Sequence, residues 1–495
     1  MDIVENYASN EETLDPLDWE EMRQLSHRII DDSIDYLRDV RDRPVWQKVP
    51  NEVRTGYQIG APRHPTAIQD VYDELKERLL PYSMGNIHPR FWMWYMGSSN
   101  YTGALGDFLA AILGSNLGGG DHAAALMDEQ VVGWMKEIVG FPSSASATLV
   151  SGGSMANIIA LTVARNVMAG YNVREQGLDP NFGNLVVYGS DQVHGCHQSA
   201  VELLGLGKKA LHLLPTSPDC RLDLAALRDA IVDDRRRGLR PACVIANAGT
   251  VNTGTIDDLA GISRICRAED LWMHVDGCIG ALAAIAPVHG DRVSGLDLAD
   301  SVALDPHKCL HAPFEVGCAV VRDARAHHGS FALTPEYLAA KHRGVAAGPW
   351  LCDLGPQTSR GFRALKVWMS LKEQGLEKFG RLIDQNIEQA QYLARRIESD
   401  PELELWGAPE LDIVCFRYAP GEMSEAERGA INTEIMIRMQ EEGSAAISDT
   451  TIHGRHFLRV AIVNHRTVRS DLDFLIDEVK RLGRHIRADT STEVD

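Results

Sequence analysis

The chain has no apolar run approaching the roughly 20 residues that a membrane-spanning helix needs. Its Ala-rich stretch GCIGALAAIAP, at 277–287, is too short to span and ends in proline. It has no excess of basic charge: 49 Lys and Arg against 69 Asp and Glu leave a formal charge of −20. Such a surface repels nucleic-acid phosphates rather than neutralising them. The nine cysteines are odd in number and lack the spacing of a zinc ribbon or a disulfide framework, which points to a reducing, cytoplasmic setting. The N-terminus, MDIVENYASNEETLDPLDWE, has no apolar centre and resembles neither a signal nor a transit peptide. Internal repeats and low-complexity blocks are also missing. These absences set aside nucleic-acid binding, membrane insertion and a secreted disulfide scaffold. What remains is a cytoplasmic enzyme or binding protein, and 495 residues predict two or three structural units.

What is present begins with an N-terminal unit over 1–85. Asp15-Pro16 suits a helix start, and Trp19, Met22, Leu25, Ile29, Ile30 and Leu37 recur near helical spacing until Pro44. The Pro- and Gly-rich stretch 44–65 reads as an extended arm, for packing on another surface such as a partner subunit. Over 86–375, helical patterns alternate with short apolar strands at 148–150, 185–188, 211–214, 242–246, 272–275, 301–304 and 318–321. That pattern predicts a mainly parallel α/β sheet. Over 376–495 the order changes to a smaller α+β domain. It has helices at 377–399 and 424–442 and from Ser470, and strands near 412–417, 445–448 and 457–463.

Polar clusters follow several strands, where open α/β sheets bind ligands. The turn SGGSMAN at 151–157 opens a helix whose N–H groups can hold an anion; the alternative is an ordinary turn capped by Ser154. Asp276 ends an apolar strand, as a buried carboxylate needing a cationic partner or as a strand-end cap. Lys308, in DPHK at 305–308, stands where a lysine with a lowered pKa can form an imine; such lysines are also often simply solvated. His194 and His197, and His307 and His311, have helical metal spacing, but neither pair has a further ligand set, so no metal is expected.

With HPRFW at 88–92, SDQVH at 190–194, HVDGCIG at 274–280, TPEYL at 334–338 and SRGFRALKVW at 359–368, these clusters complete seven ordered landmarks. The chain resembles the group II amino-acid decarboxylases dependent on pyridoxal 5′-phosphate (PLP), the family of aromatic L-amino-acid and glutamate decarboxylases. The resemblance implies the PLP-dependent transferase fold type I (aspartate aminotransferase-like). That fold has a mainly parallel seven-stranded sheet, a smaller C-terminal α+β domain and an N-terminal helical arm. It also implies a homodimer with active sites at its interface. Lys308 is expected to hold PLP as a Schiff base, His194 to stack on its ring and Asp276 to pair with its nitrogen. Gly153, Ser154 and the Met155 backbone are expected at the phosphate, with His307 touching phosphate or substrate. Thr250, in NAGTVNTG, falls near the family's cofactor-contacting threonines. Tyr337, within a lid read over 327–350, matches the tyrosine that assists protonation at Cα. Cys278 stands where the family usually has alanine.

The implied reaction is decarboxylation of an L-amino acid to its amine. Phe91, Trp92, Trp94 and Tyr95 form an aromatic strip, either pocket or core, that favours an aromatic substrate: tryptophan, tyrosine or dopa. Gly118, Gly119 and Gly120 replace a bulky ring, and His122 with Asp121 can instead meet a polar side chain. Ser359 falls where some relatives separate phenolic from indolic substrates. The rival readings are a decarboxylase of acidic amino acids, an aldehyde synthase, and a non-catalytic binding protein on this fold. The last is expected to lack Lys308 or Asp276, and both are present.

Overall fold

The computed structural model describes residues 12–333 and 341–492. Seven short strands form the central sheet: β1 (Ser146–Val150), β2 (Leu185–Ser190), β3 (Leu211–Leu214), β4 (Arg240–Asn247), β5 (Trp272–Asp276), β6 (Ser301–Leu304) and β7 (Gly317–Val321). Every residue of β2, β5, β6 and β7 is buried, so these strands have no polar face to present to water. The order across the sheet is β1-β7-β6-β5-β4-β2-β3. β7 runs antiparallel to both β1 and β6, and the remaining pairings are parallel. Six strands therefore aim their carboxyl ends at one edge. This is the mainly parallel seven-stranded sheet expected above.

The second sheet is antiparallel, in the order β10-β11-β9-β8, from β8 (Leu403–Leu405), β9 (Ile413–Tyr418), β10 (Ser448–Ile452) and β11 (Arg455–Ala461). Helices Leu376–Glu398, Glu425–Glu441 and Arg469–Thr492 accompany it. The middle helix starts at Ser424 because Ser424 and Glu427 cap it reciprocally: the Ser424 hydroxyl accepts from the Glu427 N–H at 3.2 Å, and the Glu427 carboxylate accepts from the Ser424 N–H at 2.7 Å.

The N-terminal part departs from expectation in two places. Its first helix, Trp19–Arg38, is capped by Asp18, whose carboxylate accepts from the Glu20 and Glu21 N–H groups, rather than starting at Asp15-Pro16. The stretch read as an extended arm contains the helix Asn51–Gly56, begun after Pro50, and a further helix follows at Ile68–Arg78. Among the described residues no helix is long and apolar enough to cross a membrane.

The two sheets meet along the aromatic strip. The Trp92 N–H donates to the Ala446 carbonyl at 2.7 Å, and the Trp92 carbonyl accepts from the Ala461 N–H at 3.0 Å. This pairing turns the Trp92 ring into the small-domain core among Ile447, Val460, Ile462 and Leu475, fully buried. Its indole N–H donates to Thr467 Oγ1 at 3.2 Å. Trp92 is therefore a core residue and not the substrate contact expected from the sequence. Trp92→Ala should lower unfolding free energy by about 3–5 kcal/mol, as loss of a fully buried large ring does, and urea denaturation would measure it.

Candidate active site

At the carboxyl edge of the large sheet lies a cavity of about 700 Å3. The elements that reach it are the turn after β1, His194 after β2, Asn247 ending β4, Asp276 ending β5, and Asp305, His307 and Lys308 after β6. Two glycines let these pieces close up. A Cβ on Gly153 would lie 2.4 Å from Cys278 Sγ and 2.7 Å from Asp305 Oδ2, and one on Gly97 would lie 2.0 Å from the His307 carbonyl oxygen. Only hydrogen at these positions allows the first turn of helix Gly153–Met168, and the strip at 93–97, to press against the lysine loop. The N–H groups of Gly153, Ser154 and Met155 belong to that first turn, whose end of the helix favours an anion.

Lys308 is mostly, not fully, enclosed, with Nζ 3.1 Å from Asp305 Oδ2. Burial alone would lower its proton affinity, but Asp305, reinforced by Cys278 and Asp276, outweighs burial and raises the ammonium above its usual range. The expectation of a lowered lysine is thus reversed, by a carboxylate three residues earlier in the same turn. Asp305 Oδ1 is buried with no hydrogen-bond partner among the described residues.

Asp276 is also buried. Burial would raise its pKa, but donors overwhelm that effect and hold the carboxyl far below the usual range. His197 Nε2 lies 2.9 Å from Oδ2, Asn157 Nδ2 donates to the same oxygen at 3.2 Å, and the Cys278 N–H donates to Oδ1 at 3.2 Å. In the sequence His197 stood out only as half of a pair at metal spacing with no metal expected. The structure makes it a direct partner of Asp276, through a ring that is itself fully buried. The signal was its position, three residues after His194 on one face of a starting helix. Cys196 joins His197 and Asp276 in a group close enough for a metal. Burial, however, pushes the Cys196 thiol up to about 12, and hydrogen bonding already accounts for the His197–Asp276 contact.

His194 lines the cavity and accepts the Cys196 N–H at Nδ1, 3.1 Å, which leaves Nε2 to carry the proton. His307 is held by its Nδ1 against the Val316 carbonyl at 2.7 Å. Met93, Trp94 and Tyr95 supply an apolar wall. Trp94 is half exposed, as a pocket residue can be. One wall residue escaped sequence reasoning. Arg459, from the small domain, is buried and donates to the carbonyls of Trp94, Val251 and Asn252. Tyr95 donates its hydroxyl to both oxygens of Asp412, at 3.0 and 2.9 Å, and burial pushes that carboxyl up to about 7.

Several expected site residues are elsewhere. Thr250 does not line the cavity; its hydroxyl is occupied by Thr253 at 2.8 Å and by the Thr255 N–H at 3.2 Å. His122 and the exposed Ser359 are likewise off the wall of this chain's cavity. They sit by a glycine run whose space is already filled. A Cβ on Gly119 would lie 2.7 Å from the Pro349 carbonyl oxygen, and one on Gly120 2.7 Å from that of Val345. The proposed lid does not begin at His327, which is buried in helix Ala324–Phe331 and hydrogen-bonded to Ser146 and Leu354. Tyr337 lies outside the described residues.

A family model described as the pyridoxal-dependent decarboxylase conserved domain matches residues 50–419. The chain is 32% identical over 473 residues to the aromatic-L-amino-acid decarboxylase of Bacillus atrophaeus, covering 94% of this chain and 96% of that protein. It is 29% identical to phenylacetaldehyde synthase of Arabidopsis thaliana, over 91% of this chain and 93% of that one. Among solved structures it is similar to Oryza sativa TDC with PLP and tryptamine. That match has a TM-score of 0.87 and 25% identity, covering 96% of this chain and 100% of that chain.

The depressed Asp276 carboxyl has a consequence for acid stability. Its charge stabilises the folded, ligand-free chain at neutral pH, and that contribution is lost as pH falls below the unfolded value of about 3.9 towards the lower folded one. Urea unfolding at successive pH values should show the native chain losing stability relative to Asp276→Asn as the solution is acidified through that window. A difference independent of pH would contradict it.

Proposed function

The chain belongs to the pyridoxal-dependent decarboxylase family, and we propose that it removes the α-carboxylate of an aromatic L-amino acid as CO2, leaving the amine. The observation that carries this reading is the convergence of Lys308, Asp276 and the free first turn of helix Gly153–Met168 on one cavity. These residues fit PLP. The N–H groups of 153–155 suit its phosphate, the Asp276 carboxylate suits a protonated ring nitrogen, and the cradle between Gly153 and Cys278 has no room for a side chain at 153. Bound there, the cofactor supplies an electron-poor ring that accepts the electron pair left as CO2 departs.

The chain's own residues do the rest. Lys308 Nζ, beside Asp305, would hold the cofactor's aldehyde carbon. Asp276 would keep the ring nitrogen protonated, His194 would pack against the ring, and His307 would contact phosphate or substrate. Tyr337 would serve as the proton donor to Cα. Trp94, with Met93 and Tyr95, offers the apolar wall that an aromatic side chain needs. The names of the Bacillus relative and of the tryptamine-bound rice structure support the same substrate class.

We also read the active form as a homodimer, with His122 and Ser359 serving the partner's cavity rather than their own. Helix Tyr101–Leu113 supports this, since it exposes Phe108, Ile112 and Leu113 on one apolar side. Nine free cysteines, eight of them buried, support a reducing cytoplasm. The similarity to phenylacetaldehyde synthase favours one second reading, decarboxylation with oxidative deamination. His194 and Tyr337, both present, weigh towards the amine.

Lys308→Ala should abolish both the visible absorption of bound cofactor and the release of CO2; an unchanged spectrum would refute the assignment. Across a panel of amino acids, with CO2, amine and aldehyde measured separately, aromatic substrates should give amine and CO2 in equal amounts. Tyr337→Phe should divert product from amine towards aldehyde, and an unaltered amine yield would remove its role as proton donor.

A further inference from the structure

From Asn157, which lines the cavity beside Asp276, a line of hydrogen bonds runs through the sheet to a tryptophan. Trp272, His274 and Asp276 alternate along β5 and so share one face. His274 stands in register with Ser301 of β6. The Trp272 indole N–H donates to Ser301 Oγ at 2.8 Å, and Ser301 Oγ lies 2.9 Å from His274 Nδ1. His274 Nε2 lies 2.7 Å from Asn157 Oδ1, and Asn157 Nδ2 lies 3.2 Å from Asp276 Oδ2. Asn157, His274 and Ser301 are all buried.

The two ends fix the direction of every bond between them. An indole N–H can only donate and a carboxylate can only accept. Ser301 therefore accepts from Trp272 and donates to His274 Nδ1, so His274 carries its proton on Nε2 and donates to Asn157 Oδ1. The Asn157 amide is left with its NH2 turned to Asp276. Burial, foremost, lowers His274 to about 3, so a single neutral tautomer persists at working pH. Reversing any one link would turn the Asn157 carbonyl against the Asp276 carboxylate.

We propose that Asn157, oriented from behind by His274 and Ser301, is a positioning residue that sets the proton affinity of Asp276 and through it the protonation of the cofactor's ring nitrogen. This deepens the decarboxylase reading and rests on it. With its Asn157 donor lost, Asp276 becomes more basic and draws the shared proton away from the ring, which then accepts electrons less well. The turnover step slows while contacts to substrate are untouched. Ser301 acts at a distance because, without its hydroxyl, His274 Nδ1 loses its donor and the ring holds the Asn157 amide less firmly.

The test compares holoenzymes carrying Asn157→Ala, Ser301→Ala and both. Each single change should lower kcat by about tenfold or more, as for one lost hydrogen bond to a charged group, with KM within about twofold. Each should also move the titration of the visible Schiff-base band to higher pH, because a ring nitrogen without its proton no longer depresses the proton affinity of the imine. The double variant should be no slower than Asn157→Ala alone, within about twofold, since Ser301 acts only through Asn157. Multiplying effects would overturn the proposal. So would an unmoved band titration with unchanged kcat and only a lower melting temperature, the outcome of mere packing. A native enzyme that shows no visible band and releases no CO2 would instead overturn the functional reading, and this proposal with it.

Discussion

A buried negative charge at the end of β5 organises this molecule. A carboxylate removed from water costs several kcal/mol unless donors surround it. Asp276 is surrounded by His197, Asn157 and the Cys278 N–H, and His197 foremost holds it ionised. Those three come from three different elements, so the fold has to be closed before the charge is tolerable. The cavity then contains an anion at its floor and an ammonium, Lys308, across from it. A cationic ring nitrogen and an aldehyde are the complementary pair.

The Lys308–Asp305 contact is the counterpart of that constraint. Asp305 is fixed by its place directly after β6 and by the pressure of Gly153 against it. Its carboxylate explains why this lysine is raised rather than lowered there. Arg459 and the Tyr95–Asp412 pair then tie the aromatic strip to the small domain, so one wall of the cavity is built by residues more than 300 positions apart, Trp94 and Arg459 by 365.

The seven strands of the large sheet were legible in the sequence because burial on both faces leaves short, wholly apolar runs. β8 was not, since its three residues carry no period. Ordered motifs found Lys308, Asp276, His194 and the glycine turn, which the structure brings to one cavity. Trp92 and Trp94 could not be separated by type: backbone pairing to Ala446 and Ala461 sends one into the core, and the other lines the cavity. Thr250 was misplaced because its hydroxyl serves its own turn. Asn157 and His274 lay inside quoted motifs, yet the bond between them spans 117 positions and no local pattern announces it. His122 and Ser359 sit beside a glycine run that reads as open space, although residues 345–350 of the same chain fill it.

The central claim is that Asp276, ionised and held from behind, keeps the ring nitrogen of the bound cofactor protonated. Nitrogen-15 NMR of the holoenzyme loaded with ring-labelled PLP measures that proton directly. The account predicts a protonated ring nitrogen throughout the neutral and mildly alkaline range, with the signal of the unprotonated ring dominant when Asp276 is replaced by alanine. An unprotonated ring nitrogen in the native holoenzyme at neutral pH would contradict it.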